Sequence, residues 1–305
     1  MFVKEKAYAK INLYLDIEQK RKDGFHDIIT VMQLISLHDE VNIAFNGTQE
    51  INLTITNMDL GIPNEKNIAY IAACKFYENL DFKPNSKVDI FIEKHIPVAA
   101  GLAGGSADAA AVLRGLNYLY GKPFTTEQLC EIGLSIGSDV PFCIVGGVQL
   151  CRGQGEKMVG MLGIKNYRIL IACSEHKSST ADQYKKLDDK FNDFKKYQFA
   201  KDFPEMYAAL SGGRIRDAYK GMFNIFEEIY DENSTVKKIK KLMYDNEASF
   251  AMLSGSGPAV FGAFSDMILI EDAQEALARE GIKSYSCFPI NKTYEYMLPG
   301  EDPWK

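Results

Sequence analysis

The sequence predicts an α+β protein of two domains. The chain has 305 residues, which is too many for a single small hydrophobic core and suits two domains of about 150 residues each. Its N-terminal half mixes strand-like and helical segments, whereas the C-terminal half ends in the order strand, turn, strand, helix, strand. That order is typical of a ferredoxin-like α/β sandwich. A glycine-rich stretch at 146–155 marks the boundary and predicts domains 1–155 and 156–305, with a last strand that can return to the first domain.

Hydrophobic periodicity defines the elements of the N-terminal half. Aliphatic side chains fall on the odd positions of 11–17, which is the period of a strand. A polar turn that ends in Asp23-Gly24 connects it to a second strand-like run at 27–37, so we expect a hairpin. The further predicted elements are short strands at 41–45 and 51–56, a helix over 64–80 and a strand over 88–92.

A long helix follows a glycine-rich run in the middle of the chain. Val112 and Leu116 lie on its apolar face, Ser106 is a natural N-cap residue, and Gly121 with Pro123 is a natural stop. The predicted elements beyond it are helices over 126–134, 181–197 and 271–280, two or three amphipathic helices between 204 and 246, and strands at 168–173, 249–253, 259–264 and 283–288.

Composition and charge exclude several classes of protein. The formal net charge is −6, which argues against a nucleic-acid partner. No segment has the roughly 20 consecutive apolar residues of a membrane span, and the N-terminus lacks the apolar core of a signal peptide. The cysteines form no C-x-x-C pair, so we expect reduced thiols in a cytoplasmic protein without disulfides or a zinc site. These observations fit a monomer or a homodimer equally well.

The glycine-rich run lies between a predicted strand and a predicted helix, and it is suited to an anion. It comprises Pro97, Val98, Ala99, Ala100, Gly101, Leu102, Ala103, Gly104, Gly105 and Ser106. Small residues leave backbone N–H groups bare beside the positive end of the helix dipole, which favours phosphate binding. The run is neither a Walker A loop, since no lysine follows the glycines, nor a dinucleotide fingerprint, since the glycine spacing differs. The alternative is a tight turn that needs small residues for packing.

Two charged residues elsewhere are candidates for chemistry with a bound phosphate. Lys10 shares one face of the first strand with Asn12, opposite the aliphatic residues, where both can meet a ligand. Asp139 lies in the turn 137–141, and a carboxylate near a lysine can orient or deprotonate a hydroxyl. Taken singly, each residue is better explained structurally, by a solvated sheet face for Lys10 and by turn formation for Asp139.

Four motifs in order resemble the signature of the GHMP kinases, a family that phosphorylates small molecules. The motifs are Ala9-Lys10-Ile11-Asn12-Leu13, the run from Pro97 to Ser106, Gly137-Ser138-Asp139-Val140-Pro141, and Leu253-Ser254-Gly255-Ser256-Gly257-Pro258. They span nearly the whole chain, which makes the match specific. The resemblance implies a ribosomal protein S5 domain 2-like N-terminal domain, a ferredoxin-like C-terminal domain, and ATP and Mg²⁺ as cofactors.

The resemblance also implies roles for individual residues. Asp139 is expected to be the general base for the acceptor hydroxyl, and Lys10 to stabilise the charge that develops on the transferred group. The ATP site is expected to comprise Pro97 and the residues from Ala99 to Ser106, with Asn67 and Lys94 near the adenosine. Ser106 is the one side chain expected near Mg²⁺.

Within the family, the nearest resemblance is to kinases whose acceptor is a polyol linked to cytidine diphosphate. Asp23-Gly24-Phe25-His26-Asp27 resembles their segment for the cytosine base, in which a ring stacks on the base and a histidine bonds its edge. Tyr184 aligns with a second stacking ring, Asn12 belongs to the substrate site, and Gly255 and Ser256 close over the reacting end. This implies ATP-dependent phosphorylation of the 2-hydroxyl of the polyol, in isoprenoid precursor biosynthesis.

Two alternatives stay open, and the chain departs from the family at several positions. The alternatives are a GHMP kinase for another alcohol, such as homoserine or a mevalonate derivative, and a non-catalytic ATP-binding relative. Ala99, Ala103 and Ala107 replace the glycine or serine of many members. Alanine in the loop predicts that φ is not positive there, and Ala107 removes a hydroxyl near the phosphates or the metal. Phe25 lacks the phenol of the more usual tyrosine.

Overall fold

The structure is a computed structural model that describes residues 2–173, 179–191, 194, 203–292 and 294. Its strands are β1 (Phe2–Lys20), β2 (His26–Phe45), β3 (Asn52–Thr56), β4 (Val88–Glu93), β5 (Val148–Gly153), β6 (Lys157–Gly160), β7 (Arg168–Cys173), β8 (Phe250–Leu253), β9 (Ala259–Phe264), β10 (Lys283–Cys287) and β11 (Pro289–Ile290). Its α-helices are α1 (Ile68–Glu78), α2 (Gly104–Leu119), α3 (Thr126–Leu134), α4 (Val140–Val145), α5 (Thr180–Lys190), α6 (Phe203–Ser211), α7 (Ile215–Ala218), α8 (Thr235–Asp245) and α9 (Met267–Arg279). This mixed content confirms the predicted α+β class.

A long antiparallel hairpin of β1 and β2 organises the first sheet. The sheet has the order β3-β4-β2-β5-β6, and β1 and β11 also pair with β2. Register shifts interrupt β1 between Tyr8 and Lys10 and again between Asn12 and Tyr14. Such bulges redirect side chains and are frequent beside active sites. Here they flank the two polar residues of β1 that the sequence singles out.

Helices α1 and α2 pack on this sheet and close the first core. Val112, Leu113 and Leu116 of α2 are fully buried, as the apolar face predicts. The close approach of α2 to the sheet needs Gly115, because a Cβ there would lie 2.5 Å from Cδ1 of Ile43. The N-terminus of α2, where the glycine-rich loop ends, is therefore held at a fixed distance from the sheet.

The second sheet is antiparallel, with the order β10-β7-β9-β8, and helices α8 and α9 pack on it. The predicted order of strand, turn, strand, helix, strand is confirmed by β8, β9, α9 and β10. One core cluster contains Tyr14 and Ile35 of the first sheet together with Ile169 and Phe261 of the second. After β10 the chain returns to the first sheet, where β11 pairs with β2. The two sheets therefore share packing and a strand connection.

Several predicted bounds differ from the observed ones for tertiary reasons. The predicted strands at 27–37 and 41–45 are one strand, β2, because β1 supplies backbone partners for the polar residues 38–40 between them. The predicted helix at 64–80 is a 3₁₀ turn at Asn64–Lys66 followed by α1. Helix α5 ends at Lys190, and most of the predicted continuation to 197 lies outside the described residues. Among the helices that the structure describes, none has the length and apolar content to cross a membrane.

Candidate active site

A cleft of about 540 Å³ lies where β1, the start of α2, the start of α5 and the β8–β9 turn meet. Volumes of this order suit small-molecule ligands. The predicted site residues in its lining are Lys10, Asn12, Asn67, Lys94, Pro97, Ala99, Ala100, Gly101, Ala103, Gly104, Gly105, Ser106, Asp139, Tyr184, Gly255 and Ser256. Leu102 is buried in the core instead, while Phe25 and His26 lie beyond the lining. The fold therefore brings together residues from both halves of the chain.

Lys10 and Asp139 form an ion pair in this cleft. Lys10 Nζ lies 3.9 Å from Asp139 Oδ2, and the exposed fractions of the two side chains are 5% and 40%. Lys10 is thus buried rather than on a solvated sheet face. Asp139 precedes α4, and its side chain makes no capping hydrogen bond to that helix. The carboxylate is accordingly available to a ligand, with a buried ammonium group beside it.

Asn12 holds Lys10 in place. Its Oδ1 accepts hydrogen bonds from Lys10 Nζ at 2.7 Å and from the Gly255 N–H at 2.8 Å. Its Nδ2 donates to Thr30 Oγ1 at 2.9 Å, and Thr30 donates to the carbonyl of Tyr14 at 2.6 Å. Both polar atoms of the Asn12 side chain are therefore engaged within the protein. In the structure, Asn12 positions Lys10 and ties it to the β8–β9 turn.

The glycine-rich loop adopts a left-handed backbone at two alanines. The φ angle is 54° at Ala99 and 57° at Ala103, so the prediction that alanine excludes positive φ is wrong. Ala103 is the N-cap of α2 and Gly104 its first residue, which places Ser106 inside the first turn and corrects its predicted role as the N-cap. The N–H groups of this turn have no acceptor within the helix, which leaves them available to an anion.

The loop docks against the β8–β9 turn through backbone atoms. A Cβ on Gly101 would lie 2.2 Å from the Ser254 carbonyl oxygen, so only glycine fits, and φ there is 81°. Ser254 Oγ donates to the Gly101 carbonyl at 3.0 Å, and the Ala259 N–H donates to the Ala100 carbonyl at 3.0 Å. These contacts fix the left-handed conformations of the loop, which cost about 1–2 kcal/mol per alanine.

Ala107 faces the core rather than the cleft. The residue is 1% exposed and belongs to the hydrophobic cluster of the first domain. A hydroxyl at this position would point into apolar surroundings. The departure from the family at this position therefore leaves the lining of the cleft unchanged.

Lys94 lines the cleft, but its ammonium group is held by two buried aspartate side chains. Nζ donates to Asp108 Oδ2 at 2.6 Å and to Asp39 Oδ2. Burial disfavours the ammonium, but Asp108 and Asp39 outweigh this effect and raise the pKa of Lys94. Burial raises the pKa of Asp108, with Lys94 opposing the shift and Asp39 adding to it. Lys94 therefore joins the end of β4 to α2. Its predicted place near the adenosine stays a prediction.

Asn67 combines a place in the cleft with a capping role. Its Oδ1 accepts from the Ala69 N–H at 2.9 Å, which caps α1, and the residue is 7% exposed. An asparagine N-cap contributes about 1 kcal/mol to helix stability. The capping bond gives Asn67 a structural role at the start of α1, and its predicted place near the adenosine stays a prediction.

The residues predicted to bind a base lie at the edge of the cleft lining and beyond it. Phe25 is 59% exposed, so one face of its ring is open to a ligand. The rings of His26 and Tyr184 stack with centroids 4.7 Å apart, and Tyr184 lines the cleft. Burial raises the pKa of Tyr184, with Asp139 adding to the shift, so its phenol stays neutral. Asp188 contacts His26 Nε2 at 2.8 Å.

Sequence reasoning missed Asp39, Asp108, Asp188 and Asn224 as parts of this site. Asn224 Nδ2 donates to the carbonyls of Leu253 and Gly255, each at 2.9 Å, and so supports the β8–β9 turn from below. Asp39, Asp188 and Asn224 are distant in sequence from the residues they support, whereas Asp108 follows the glycine-rich run closely. Asp108 and Asn224 stand among small or apolar neighbours, but Asp39 and Asp188 lie in polar segments, and neither pattern is specific enough to single them out.

Comparison with known proteins identifies the family. The model of the GHMP kinases N terminal domain matches residues 67–147, and that of the GHMP kinases C terminal domain matches 206–283. A 4-diphosphocytidyl-2-C-methyl-D-erythritol kinase of Caldicellulosiruptor bescii is 42% identical over 277 residues, 90% of this chain and 94% of that protein. One from Clostridioides difficile is 42% identical over 267 residues, 87% of this chain and 88% of that protein.

Solved structures agree with these relatives. A crystal structure of a 4-(cytidine 5'-diphospho)-2C-methyl-D-erythritol kinase superposes with a TM-score of 0.71 and 26% identity, covering 94% of this chain and 99% of that one. A homoserine kinase from Cytophaga hutchinsonii has a TM-score of 0.73 at 19% identity and covers 96% of this chain and 95% of that one, which shows the shared fold. The chain belongs to the GHMP kinases and, within them, to the 4-diphosphocytidyl-2-C-methyl-D-erythritol kinases.

Proposed function

We propose that the protein transfers the γ-phosphoryl group of ATP to the 2-hydroxyl of 4-diphosphocytidyl-2-C-methyl-D-erythritol, giving its 2-phosphate and ADP. The observation that carries this proposal is the pairing of Lys10 with Asp139 at 3.9 Å, in a cleft bordered by the loop at the start of α2. A protein that only binds ATP has no need of a carboxylate beside a buried ammonium. The names of the relatives supply the acceptor.

Asp139 acts as the general base. Its carboxylate takes the proton of the acceptor hydroxyl as the oxygen attacks the γ-phosphorus, and the bond from that phosphorus to the β–γ bridging oxygen breaks to release ADP. Proton transfer to a positioned side chain typically contributes about 10²–10⁴-fold to the rate. The 40% exposure of the Asp139 side chain gives the hydroxyl access to the carboxylate.

Lys10 supplies electrostatic stabilisation at the reacting phosphoryl group. Its ammonium is held by Asn12 and lies within reach of both Asp139 and the start of the β8–β9 turn. Preorganised charge of this kind acts without reorganisation during the reaction, and phosphoryl transfer depends chiefly on positioning and electrostatics. The N–H groups of Gly104, Gly105 and Ser106 hold the phosphates at the start of α2.

The donor groups in the cleft suit Mg²⁺ bound mainly through the nucleotide. Ser106, in the first turn of α2, offers its hydroxyl oxygen to such an ion. The described residues contain no cluster of three or more acidic, histidine or cysteine side chains that would form a protein cage. Mg²⁺ commonly takes one or two protein oxygens and completes its shell with phosphates and water. When bound, it neutralises charge on the β- and γ-phosphates.

The cytosine base binds beside Phe25 and His26, with Tyr184 at the inner end of the same surface. The exposed face of Phe25 stacks on the base, which is worth about 1–3 kcal/mol. His26 bonds the edge of the base. Gly255 and Ser256 of the β8–β9 turn close over the acceptor, and Asn224 holds that turn through two carbonyls.

A phosphoryl-transfer assay tests the proposal. We expect the purified protein to phosphorylate the cytidylyl compound in preference to homoserine and mevalonate. Asp139→Asn is expected to bind ATP normally and to lose at least about 10²-fold in kcat. Asp81→Asn, which changes an exposed aspartate, serves as the matched control and retains full turnover. Equal or greater activity on homoserine or mevalonate contradicts the substrate, and unchanged kcat in Asp139→Asn contradicts the general base.

A further inference from the structure

Asp188, which contacts the ring of His26, has no role in the phosphoryl transfer itself. Asp188, on α5, contacts His26 Nε2 through Oδ1 at 2.8 Å and Lys20 Nζ through Oδ2 at 2.6 Å. The His26 side chain is 6% exposed and that of Asp188 is 22% exposed. A hydrogen bond this well shielded from water fixes its partners more firmly than an exposed one.

The carboxylate of Asp188 can only accept a hydrogen bond. Partial burial opposes its ionisation, but hydrogen bonds from Lys20 and His26, together with the charge of Lys20, outweigh that effect and lower the pKa of Asp188. An ionised carboxylate has no proton to donate, so the hydrogen between Asp188 and His26 belongs to Nε2. In a neutral imidazole the other nitrogen, Nδ1, then carries a lone pair and accepts.

The plane of the His26 ring is also fixed. Tyr184 stacks on it with an interplanar angle of 23°, and Phe194 meets it edge-on at 89° with centroids 5.7 Å apart. A ring held on two sides cannot rotate freely to exchange its nitrogens. The direction in which Nδ1 points is therefore fixed by the two ring contacts.

We propose that Asp188 is a positioning residue that fixes the tautomer of His26 and thereby makes the site select cytosine over uracil. The proposal rests on the proposed function, in which His26 meets the edge of the base. Cytosine presents an amino donor at N4, whereas uracil presents a carbonyl acceptor at the same place, as thymine does. An acceptor at Nδ1 takes a hydrogen bond from the amino group of cytosine. It repels the carbonyl oxygen of uracil, because two lone pairs then face each other.

Steady-state kinetics with two acceptors tests this inference. The probes are the cytidylyl compound and its uridylyl analogue, assayed with the parent protein, Asp188→Ala, Asp188→Asn and the matched control Asp189→Asn, which changes an exposed aspartate one residue along α5. We expect the parent to favour the cytidylyl compound in kcat/KM by about tenfold or more. In Asp188→Ala the ratio is expected to fall to within about threefold of unity, through KM rather than kcat.

The remaining variants separate positioning from general damage to the fold. Asp188→Asn keeps an oxygen that can accept from Nε2, so we expect an intermediate ratio, and Asp189→Asn keeps the parent ratio. A merely structural role for Asp188 lowers activity on both acceptors equally and leaves the ratio unchanged. Nitrogen-15 NMR of histidine-labelled protein, with His26 assigned through His26→Gln, reports the tautomer directly, and we expect the proton on Nε2 in the parent.

The outcomes distinguish this inference from the proposed function. If the parent fails to phosphorylate the cytidylyl compound, the proposed function is wrong, and the selectivity inference is wrong with it. If the parent phosphorylates that compound but Asp188→Ala keeps the parent ratio, only the role of Asp188 is overturned. A proton on Nδ1 of His26 in the parent likewise overturns the role of Asp188 and leaves the kinase activity untouched.

Discussion

Replacing Asp108 by asparagine is expected to change how the stability of this protein depends on pH. Asp108 shares Lys94 with Asp39, and the three side chains are at most 5% exposed. One ammonium offsets only one of two buried negative charges. Asp39 also accepts from the N–H groups of His95 and Ile96, at 2.5 and 2.8 Å, whereas Asp108 Oδ1 has no hydrogen-bond partner in the described structure. Asp108 is therefore the carboxyl that takes up a proton.

The size and sign of the effect follow from the pKa of Asp108. Burial raises it from 3.8 to about 8, so between these pH values the folded protein holds a proton that the unfolded chain has released. Raising the pH across this window therefore removes stability, by up to about 1.4 kcal/mol per pH unit. Asp108→Asn has no such proton and lacks this slope. From pH 5 to pH 7 the variant should gain up to about 2.7 kcal/mol relative to the parent.

Thermal unfolding at pH 5, 6, 7 and 8 measures the difference. For a chain of 305 residues, a gain of this size raises the midpoint of the variant relative to the parent by up to about 4 °C between pH 5 and pH 7. Asp272→Asn, which changes an exposed residue of α9, is the matched control and should follow the parent at every pH. Parallel pH profiles for Asp108→Asn and the parent would refute the reasoning, because they mean that Asp108 is ionised in the folded protein.

Three further changes probe the loop, the base site and the β8–β9 turn. Ala103→Gly relieves the strain of a left-handed alanine, about 1–2 kcal/mol, and costs about 0.4–1 kcal/mol of unfolded-state entropy. The thermal midpoint should therefore rise by up to about 2–3 °C, and a fall contradicts the assigned strain. Phe25→Ala removes an exposed ring, so stability should change by less than about 0.5 kcal/mol while KM for the cytidylyl compound rises about tenfold; an unchanged KM excludes stacking. Asn224→Ala leaves the carbonyls of Leu253 and Gly255 without their donor, so the free energy of unfolding should fall by about 1–3 kcal/mol and kcat should fall with it, as denaturation and turnover assays will show.

The strands and helices that pack by simple periodicity were predictable from the sequence. Helix α2 and the strands β7 to β10 appear near their predicted positions. Strands β7, β8 and β9 were recognisable because each is a short, nearly continuous apolar run that is buried along its length. β2 was predicted as two strands because residues 38–40 are polar. Asp39 is nevertheless fully buried, since Lys94 and two backbone N–H groups satisfy its carboxylate. A local pattern carries no information about partners more than fifty residues away.

In the glycine-rich loop, too, some features were predictable from local sequence and others depended on distant contacts. Its smallness and its place before a helix predicted an anion site, and that prediction depends only on backbone exposure and the helix dipole. The backbone angles of Ala99 and Ala103 were predicted wrongly, because the rule for alanine considers only the residue itself. In the folded protein Gly101 meets Ser254 backbone to backbone, and this contact holds the neighbouring loop in a conformation that isolated alanines avoid.

By itself the sequence determined the fold class, the family signature and the two residues proposed for the reacting centre, Lys10 and Asp139. These are properties of residue order and spacing. Only the tertiary structure decided how those residues are held: Asn12 between Lys10 and Gly255, Lys94 between two aspartates, and Asp188 against His26. The contacts of Asn12 with Gly255, of Lys94 with Asp39 and of Asp188 with His26 join chain segments that are far apart in sequence. Their energies depend on burial and on exact partners, which exist only once the two sheets have packed together.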